Sequence, residues 1–232
     1  MISNSVLELQ EQILQSALKS NRDPKDLTLI TISKTFGSNL VEEAFNTGLV
    51  NFGENYVQEL LEKKEKLNHL NINWHFVGHL QTNKVKFIAP FISMIQSVDS
   101  KHIAEEINLR AQQNNRKIKI LVEVNTSKEA TKFGVNPENT IQFLTQINHL
   151  KFIEICGLMT IGPFTENQNE SRKAFKILKE IRDEANKLNI IPNKLLHLSM
   201  GMTHDYKIAI DEGATILRIG TAIFGKRIKN NL

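Results

Sequence analysis

Lys34 directly follows Leu27-Thr-Leu-Ile-Thr-Ile-Ser33, an apolar run rich in strand-forming residues. A lysine desolvated at such a place has a lowered pKa and becomes an amine nucleophile, able to form a Schiff base with a carbonyl. The other reading is a side chain that carries its charge off the strand end into water. Arg218 stands between Leu217 and Ile219. A guanidinium inside a strand needs an acceptor, and pairing with a carboxylate such as Glu123 would meet that need without any ligand. Ser199-Met-Gly201 and Gly220-Thr221 have the chemistry of a phosphate site. Glycine lets the backbone approach an anion, and hydroxyls and free N–H groups donate to it. Equally, these glycines can serve turns.

Two further features carry less. His75 and His79 are four apart, a ligand spacing on a helix, but Trp74 to Gly78 reads as a strand. No other Cys or Asp cluster is nearby, so no metal site is expected, and stacking or hydrogen-bond roles fit better. Cys156 lies in Phe152-Ile-Glu-Ile-Cys-Gly-Leu158 and reads as a buried core thiol.

The elements that must hold these residues alternate. A helix with its apolar stripe on Val6, Leu9, Ile13, Leu14 and Ala17 covers 4–20. Strands are expected over 27–33, 50–53, 74–78, 94–98, 118–125, 153–160, 195–200 and 215–222. Helices are expected over 39–48, 56–67, 83–88, 102–113, 137–147, 170–188 and 204–211, with Glu62 and Lys66 as a spaced ion pair. Short apolar strands separated by helices are those of a parallel sheet buried on both faces. Eight such units predict a single closed (β/α)₈ TIM barrel. An open doubly wound sheet is the alternative, but no Gly-x-Gly-x-x-Gly follows the first strand. Lys34, Asn55, His79, Asp99, Asn125, Thr160, Ser199 and Gly220 then all fall at the C-terminal strand ends, where barrels build their sites.

The 232 residues suit one domain, 1–232, with a helix over 1–22 packed on the barrel and a short tail over 226–232. A formal charge of +4 without a dense Lys/Arg block does not call for nucleic acid. One cysteine excludes an intrachain disulfide. Neither a signal peptide nor an apolar stretch of about 20 residues is present. A cytoplasmic location without membrane contact is expected.

Several ordered segments resemble one family. They are Ser33-Lys34-Thr35, Asn51-Phe-Gly-Glu-Asn-Tyr-Val-Gln-Glu59 and Trp74-His-Phe-Val-Gly-His-Leu-Gln-Thr-Asn-Lys84. Further along come Gln96-Ser-Val-Asp-Ser100, Val124-Asn-Thr-Ser127, Lys132-Phe-Gly-Val135 and Gly157-Leu-Met-Thr-Ile-Gly162. Leu198-Ser-Met-Gly-Met202 and Arg218-Ile-Gly-Thr-Ala-Ile-Phe-Gly225 complete the set. The family is that of the pyridoxal phosphate homeostasis proteins (YggS/PROSC). The resemblance implies a PLP fold-type III barrel like the N-terminal domain of alanine racemase, without that enzyme's C-terminal β domain. It implies pyridoxal 5′-phosphate (PLP) held as an aldimine on Lys34, and Ser199, Gly201, Gly220 and Thr221 around its phosphate. It places Arg218 at the pyridine nitrogen and Asn55, Asn83 and Met159 in the pocket.

The function that the resemblance implies is that of a PLP carrier that modulates cofactor supply to PLP enzymes, with no catalytic residues assigned. Only seven residues follow Gly225, so no second domain is expected to provide an opposing acid or base. The alternative is a weakly active monomeric PLP-dependent amino-acid racemase, with Tyr56 or His79 as the second proton-transfer group. PLP, and apo forms of PLP enzymes, are the expected partners of a monomer.

Overall fold

A computed structural model describes residues 2–127, 129, 132–165 and 167–226. The elements are α1 (Ile2–Lys19), β1 (Thr28–Ile32), α2 (Ser38–Phe45), β2 (Asn51–Glu54), α3 (Val57–Lys66) and β3 (Asn73–Phe76). Then come α4 (Val85–Ile88), β4 (Met94–Val98), α5 (Lys101–Gln113), β5 (Ile118–Glu123), α6 (Thr140–Ile147) and β6 (Ile153–Met159). The chain continues with α7 (Gln168–Lys187), β7 (His197–Ser199), α8 (Tyr206–Asp211), β8 (Ile216–Ile219) and α9 (Thr221–Phe224). All eight strands pair in parallel and in sequence order, and β8 closes on β1. This is the (β/α)₈ barrel that the alternation predicts. Among the described residues no helix is long and apolar enough to cross a membrane.

Two apolar clusters divide the interior. The larger lies between the outer faces of the strands and the helices, and includes Phe52, Leu60, Trp74, Ile95 and Phe175, all nearly inaccessible. The smaller fills the barrel itself: Ile30, Met94, Leu121, Cys156, Met159 and Ile216, with Ile32 packed on it. Strand side chains alternate between the two faces. Two residues beyond Leu121, Met94 and Ile216 therefore stand Glu123, Gln96 and Arg218, on the same inner face. On β1 the inner row runs Ile30, Ile32, and its next position is Lys34. The apolar plug thus carries a polar layer on its C-terminal side.

α1 buries Ile2, Val6, Leu9, Ile13 and Ala17, one residue per turn. It packs against α2, α8 and α9. Arg22 anchors its end by donating to Ile210 O (3.0 Å) and Ala214 O (2.6 Å).

The differences from the sequence reading sit at element ends. β8 stops at Ile219 instead of reaching residue 222. Gly220 leaves the extended conformation there, and its carbonyl accepts from Ile223 N (2.9 Å) and Phe224 N (3.0 Å), which starts α9 at Thr221. β7 covers only His197–Ser199, and before it the amide of Leu195 is taken by Asn186 Oδ1 (2.7 Å). β5 ends at Glu123, and β1 lacks Leu27 and Ser33. Glu62 accepts from Gln58 Nε2 at 3.2 Å, and among the described residues no ion pair joins it to Lys66. The tail expected over 226–232 lies, after Lys226, outside the described residues.

α3 fixes the wall behind the Lys34 turn through two inward residues, Leu60 and Lys63. Leu60 is fully buried. Leu60→Ala is expected to cost about 2–5 kcal/mol of unfolding free energy, measured as a lower denaturant midpoint. A loss below about 0.5 kcal/mol, the range of surface changes, would mean that α3 does not depend on this contact.

Candidate functional site

The seam between β1 and β8 gathers the chemistry. The register sets Ile30 beside Arg218 and Thr31 beside Ile219. Gly220 follows, pressed so closely on β1 that a Cβ there would lie 2.7 Å from Ile32 O. Lys34 is two residues beyond Ile32, half-buried, in a turn. The turn is closed by Phe36 N donating to Ser33 O (3.1 Å). Thr35 has φ +69°, which a β-branched residue rarely adopts. Such a residue costs about 1–3 kcal/mol and persists only where its surroundings over-determine it.

Arg218 is 5% exposed. Its Nη1 donates to Ser199 Oγ (2.6 Å) and its Nη2 to Thr160 O (2.7 Å). Glu123, the carboxylate that the sequence offered as one possible partner, acts through its field, with no salt bridge to Arg218 among the described residues. Burial pulls the guanidinium down to about 10, opposed by Glu123 and Asp205, so Arg218 stays charged at neutral pH.

The bonds beyond Arg218 have one direction. Ser199 Oγ accepts from Arg218, so its proton goes to Gln96 Oε1 (2.6 Å). The Gln96 amide then meets His75 Nδ1 with its Nε2–H donor (3.3 Å). That makes Nδ1 an acceptor and leaves the imidazole neutral. The electrostatics agree: burial, then His197 and Lys119, pull His75 down to about 4.

The other expected site residues scatter in degree. Gly201, at φ +92°, uses its carbonyl to accept from Arg218 N (3.0 Å), and a side chain there would strike Ala209. Met159 ends β6, fully buried in the plug and registered with Ser199. Thr221 is exposed at the start of α9. Asn55 is half-buried after β2, with its carbonyl against Gly78. Asn83 is exposed on the 3-10 turn Thr82–Lys84, outside the hydrogen-bonded chain of Arg218, Ser199, Gln96 and His75. His79 stacks on Phe133 (3.9 Å between centroids) and stands 3.7 Å from Asp99.

Sequence reasoning missed the group on the outer side of the same wall. Ser33 Oγ donates to Glu54 Oε1 (2.6 Å). Lys63 Nζ bonds Glu54 Oε1 (2.6 Å), Glu59 Oε1 (2.7 Å) and Ser33 O (2.7 Å). The signal was legible: Lys63 lies on the stripe that Leu60 and Leu67 continue, where a lysine must be paired.

Glu123 faces the polar layer with 5% exposure. Burial raises its carboxyl to about 7, Asp99 adds to the rise and Arg218 opposes it. In the unfolded chain the same group titrates near 4.5. Between those values the folded state binds more protons, so Glu123 makes stability fall as pH rises from about 4.5 to about 7. His75 has the opposite sign: its stability contribution is lost as pH falls from 6.5 towards about 4. Glu123→Gln should remove the first slope. Relative to the parent, unloaded Glu123→Gln is expected to gain on the order of 1–3 kcal/mol between about pH 5 and about pH 7.5. Denaturant midpoints at the two pH values measure this, and parallel slopes for both proteins would refute it.

Known proteins share this architecture. The family described as "Alanine racemase, N-terminal domain" matches residues 28–228. A pyridoxal phosphate homeostasis protein of Aquifex aeolicus is 44% identical over 217 residues, covering 94% of each chain. The human protein of that name is 38% identical over 231 residues, covering 94% of this chain and 84% of its own. The structure of PipY from Synechococcus elongatus with PLP bound matches with a TM-score of 0.86 and 31% identity, covering 97% of this chain and all of PipY. An alanine racemase of Clostridium difficile shares the fold at a TM-score of 0.71 and 17% identity, and this chain spans 59% of it. The chain belongs to the pyridoxal phosphate homeostasis protein family, built on the alanine racemase N-terminal domain.

Proposed function

We propose that this protein binds PLP at the C-terminal mouth of its barrel, through Lys34, and that it serves PLP homeostasis by modulating cofactor supply. The observation that supports this reading is the β1–β8 seam: Arg218 pairs with Ile30, Gly220 packs on Ile32, and Lys34 follows two residues beyond Ile32 at the same end of the barrel. The homeostasis-protein relatives support it, as does PipY, which was solved with PLP bound.

The residues fit the group. Gly220 sits where a side chain would collide with Ile32, so its backbone can lie close against β1 two residues before Lys34. Thr221 follows Gly220 directly, exposed at the start of α9, and brings a hydroxyl donor to the same turn. Arg218 brings a charge that persists at neutral pH. PLP, when bound, supplies an aldehyde that an amine captures reversibly.

Each residue then has a role. Lys34 is the capturing amine. Gly220, Thr221 and Gly201 receive the phosphate. The Ser199 hydroxyl holds Arg218 and gives its own proton to Gln96, so Ser199 acts on the site through the guanidinium. Arg218 only donates, so towards a ring nitrogen it favours the unprotonated form. A ring in that form is a poor electron sink, which suits storage and release over turnover. Asn55, Met159 and Asn83 complete the pocket wall in this reading. We place the protein in the cytoplasm as a monomer that yields cofactor to apo forms of PLP enzymes. The modest charge and the single buried cysteine support that setting.

The test is optical and chemical. Protein mixed with PLP should turn yellow, and borohydride should fix one PLP on the peptide that carries Lys34. Lys34→Ala should lose the colour and the adduct. A parent protein that takes up no PLP would refute the reading. Sustained formation of D-amino acids from L-amino acids, abolished by Lys34→Ala, would replace the carrier role with a racemase.

A further inference from the structure

The wall behind Lys34 contains a buried charge cluster that the proposed PLP binding does not use. Lys63 is 4% exposed and Glu54 is fully buried, while Glu59 is half-buried. Replacing a buried ion pair by apolar residues is often neutral or stabilising, so stability alone is a weak reason for one. The remaining contacts of this cluster share one destination. Lys63 Nζ holds the carbonyl of Ser33 (2.7 Å), and Glu54 Oε1 holds its hydroxyl (2.6 Å). Glu59 Oε1 accepts from the amide of Thr35 (2.5 Å). Ser33 and Thr35 are the residues on either side of Lys34.

We infer that Lys63, locked between Glu54 and Glu59, is a positioning residue that fixes the Lys34 turn in its PLP-binding geometry. The cluster ties the backbone before and after Lys34 to α3, and α3 is anchored by Leu60. It over-determines the left-handed conformation of Thr35, which the turn requires. The lysine stem then leaves a backbone already fixed, so capture of a ligand does not have to order that backbone. Glu54 Oε2 is buried without a hydrogen-bond partner, so the cluster accepts an unfavourable group to keep Oε1 on both Ser33 and Lys63.

This inference rests on the PLP reading, and its test separates the two. Glu59→Ala removes the acceptor for Thr35 at a partly exposed position. Glu54→Gln with Lys63→Met removes both buried charges together, leaving neither uncompensated. Each variant is expected to bind PLP about 10- to 100-fold more weakly, the loss seen when an orienting group is removed from a site. Glu59→Gln, which keeps an acceptor oxygen, should recover most of that loss. Gln58→Ala, on the exposed side of α3, should bind as the parent does. In the unloaded proteins, amide exchange at Thr35 should be faster in Glu59→Ala than in the parent, at similar denaturant midpoints. If the parent binds PLP and both disruptive variants bind equally well, the positioning role falls while the PLP reading stands. If the parent fails to bind PLP, the PLP reading falls and the exchange experiment decides: faster exchange at Thr35 upholds the clamp, and unchanged exchange overturns it.

Discussion

A guanidinium enclosed in a barrel must be surrounded by acceptors, and that requirement orders the whole interior of this protein. An unpaired buried charge costs far more than a fold of this size can absorb. Arg218 therefore dictates what its neighbours do. Ser199 must turn its lone pairs to the guanidinium, which sends its proton to Gln96. Gln96 must then present its amide donor to His75, and His75 must remain neutral. Thr160 gives its carbonyl to Arg218, while its hydroxyl bonds Val124 O (2.8 Å) and Thr126 Oγ1 (2.9 Å). Residues from six strand ends thereby hold one another in a single arrangement of donors and acceptors.

The same wall is braced from its other side. Inside the barrel, the Arg218 chain fixes the end of β8. Outside, the Lys63 cluster fixes the end of β1. Between them runs the β1–β8 seam, with Gly220 packed against Ile32. The alternation of strand side chains makes this division automatic. Ser33 is out of phase with Ile30 and Ile32, so it reaches α3, and the following residue returns to the inner phase. A one-residue shift of β1 would send the lysine to the helices and the serine to the mouth.

The architecture was legible because its signal is repetitive. Eight apolar strands alternating with helices leave few options, and errors fell where single backbone groups decide the boundary. Gly220 ends β8 because its carbonyl recruits two amides, and no periodicity announces that. The placement of Lys34 and Arg218 was legible as polar residues in apolar runs. The Arg218 partner was not: the residues alone offered a carboxylate such as Glu123 as one reading, whereas the acceptors are a hydroxyl and a carbonyl from other strands. A backbone carbonyl is present at every residue, so its use by a distant side chain leaves no compositional trace. Lys63 shows the converse. Its apolar-stripe position was visible, but its meaning needed Glu54 and Ser33 from two different strand ends.

The two charge systems differ in how they meet a ligand. The Lys63 cluster is sealed behind the wall and bonds backbone, so its effect is geometric. Arg218 and Glu123 face the polar layer, so their effect is electrostatic. Arg218 holds its charge across the ordinary pH range, whereas Glu123, at about 7, changes charge within it. On the PLP reading, Arg218 supplies the lasting positive charge for an anionic ligand at the barrel mouth. Both groups stand on the strand rows that continue the plug, two residues beyond Ile216 and Leu121, so the fold fixes where each charge sits.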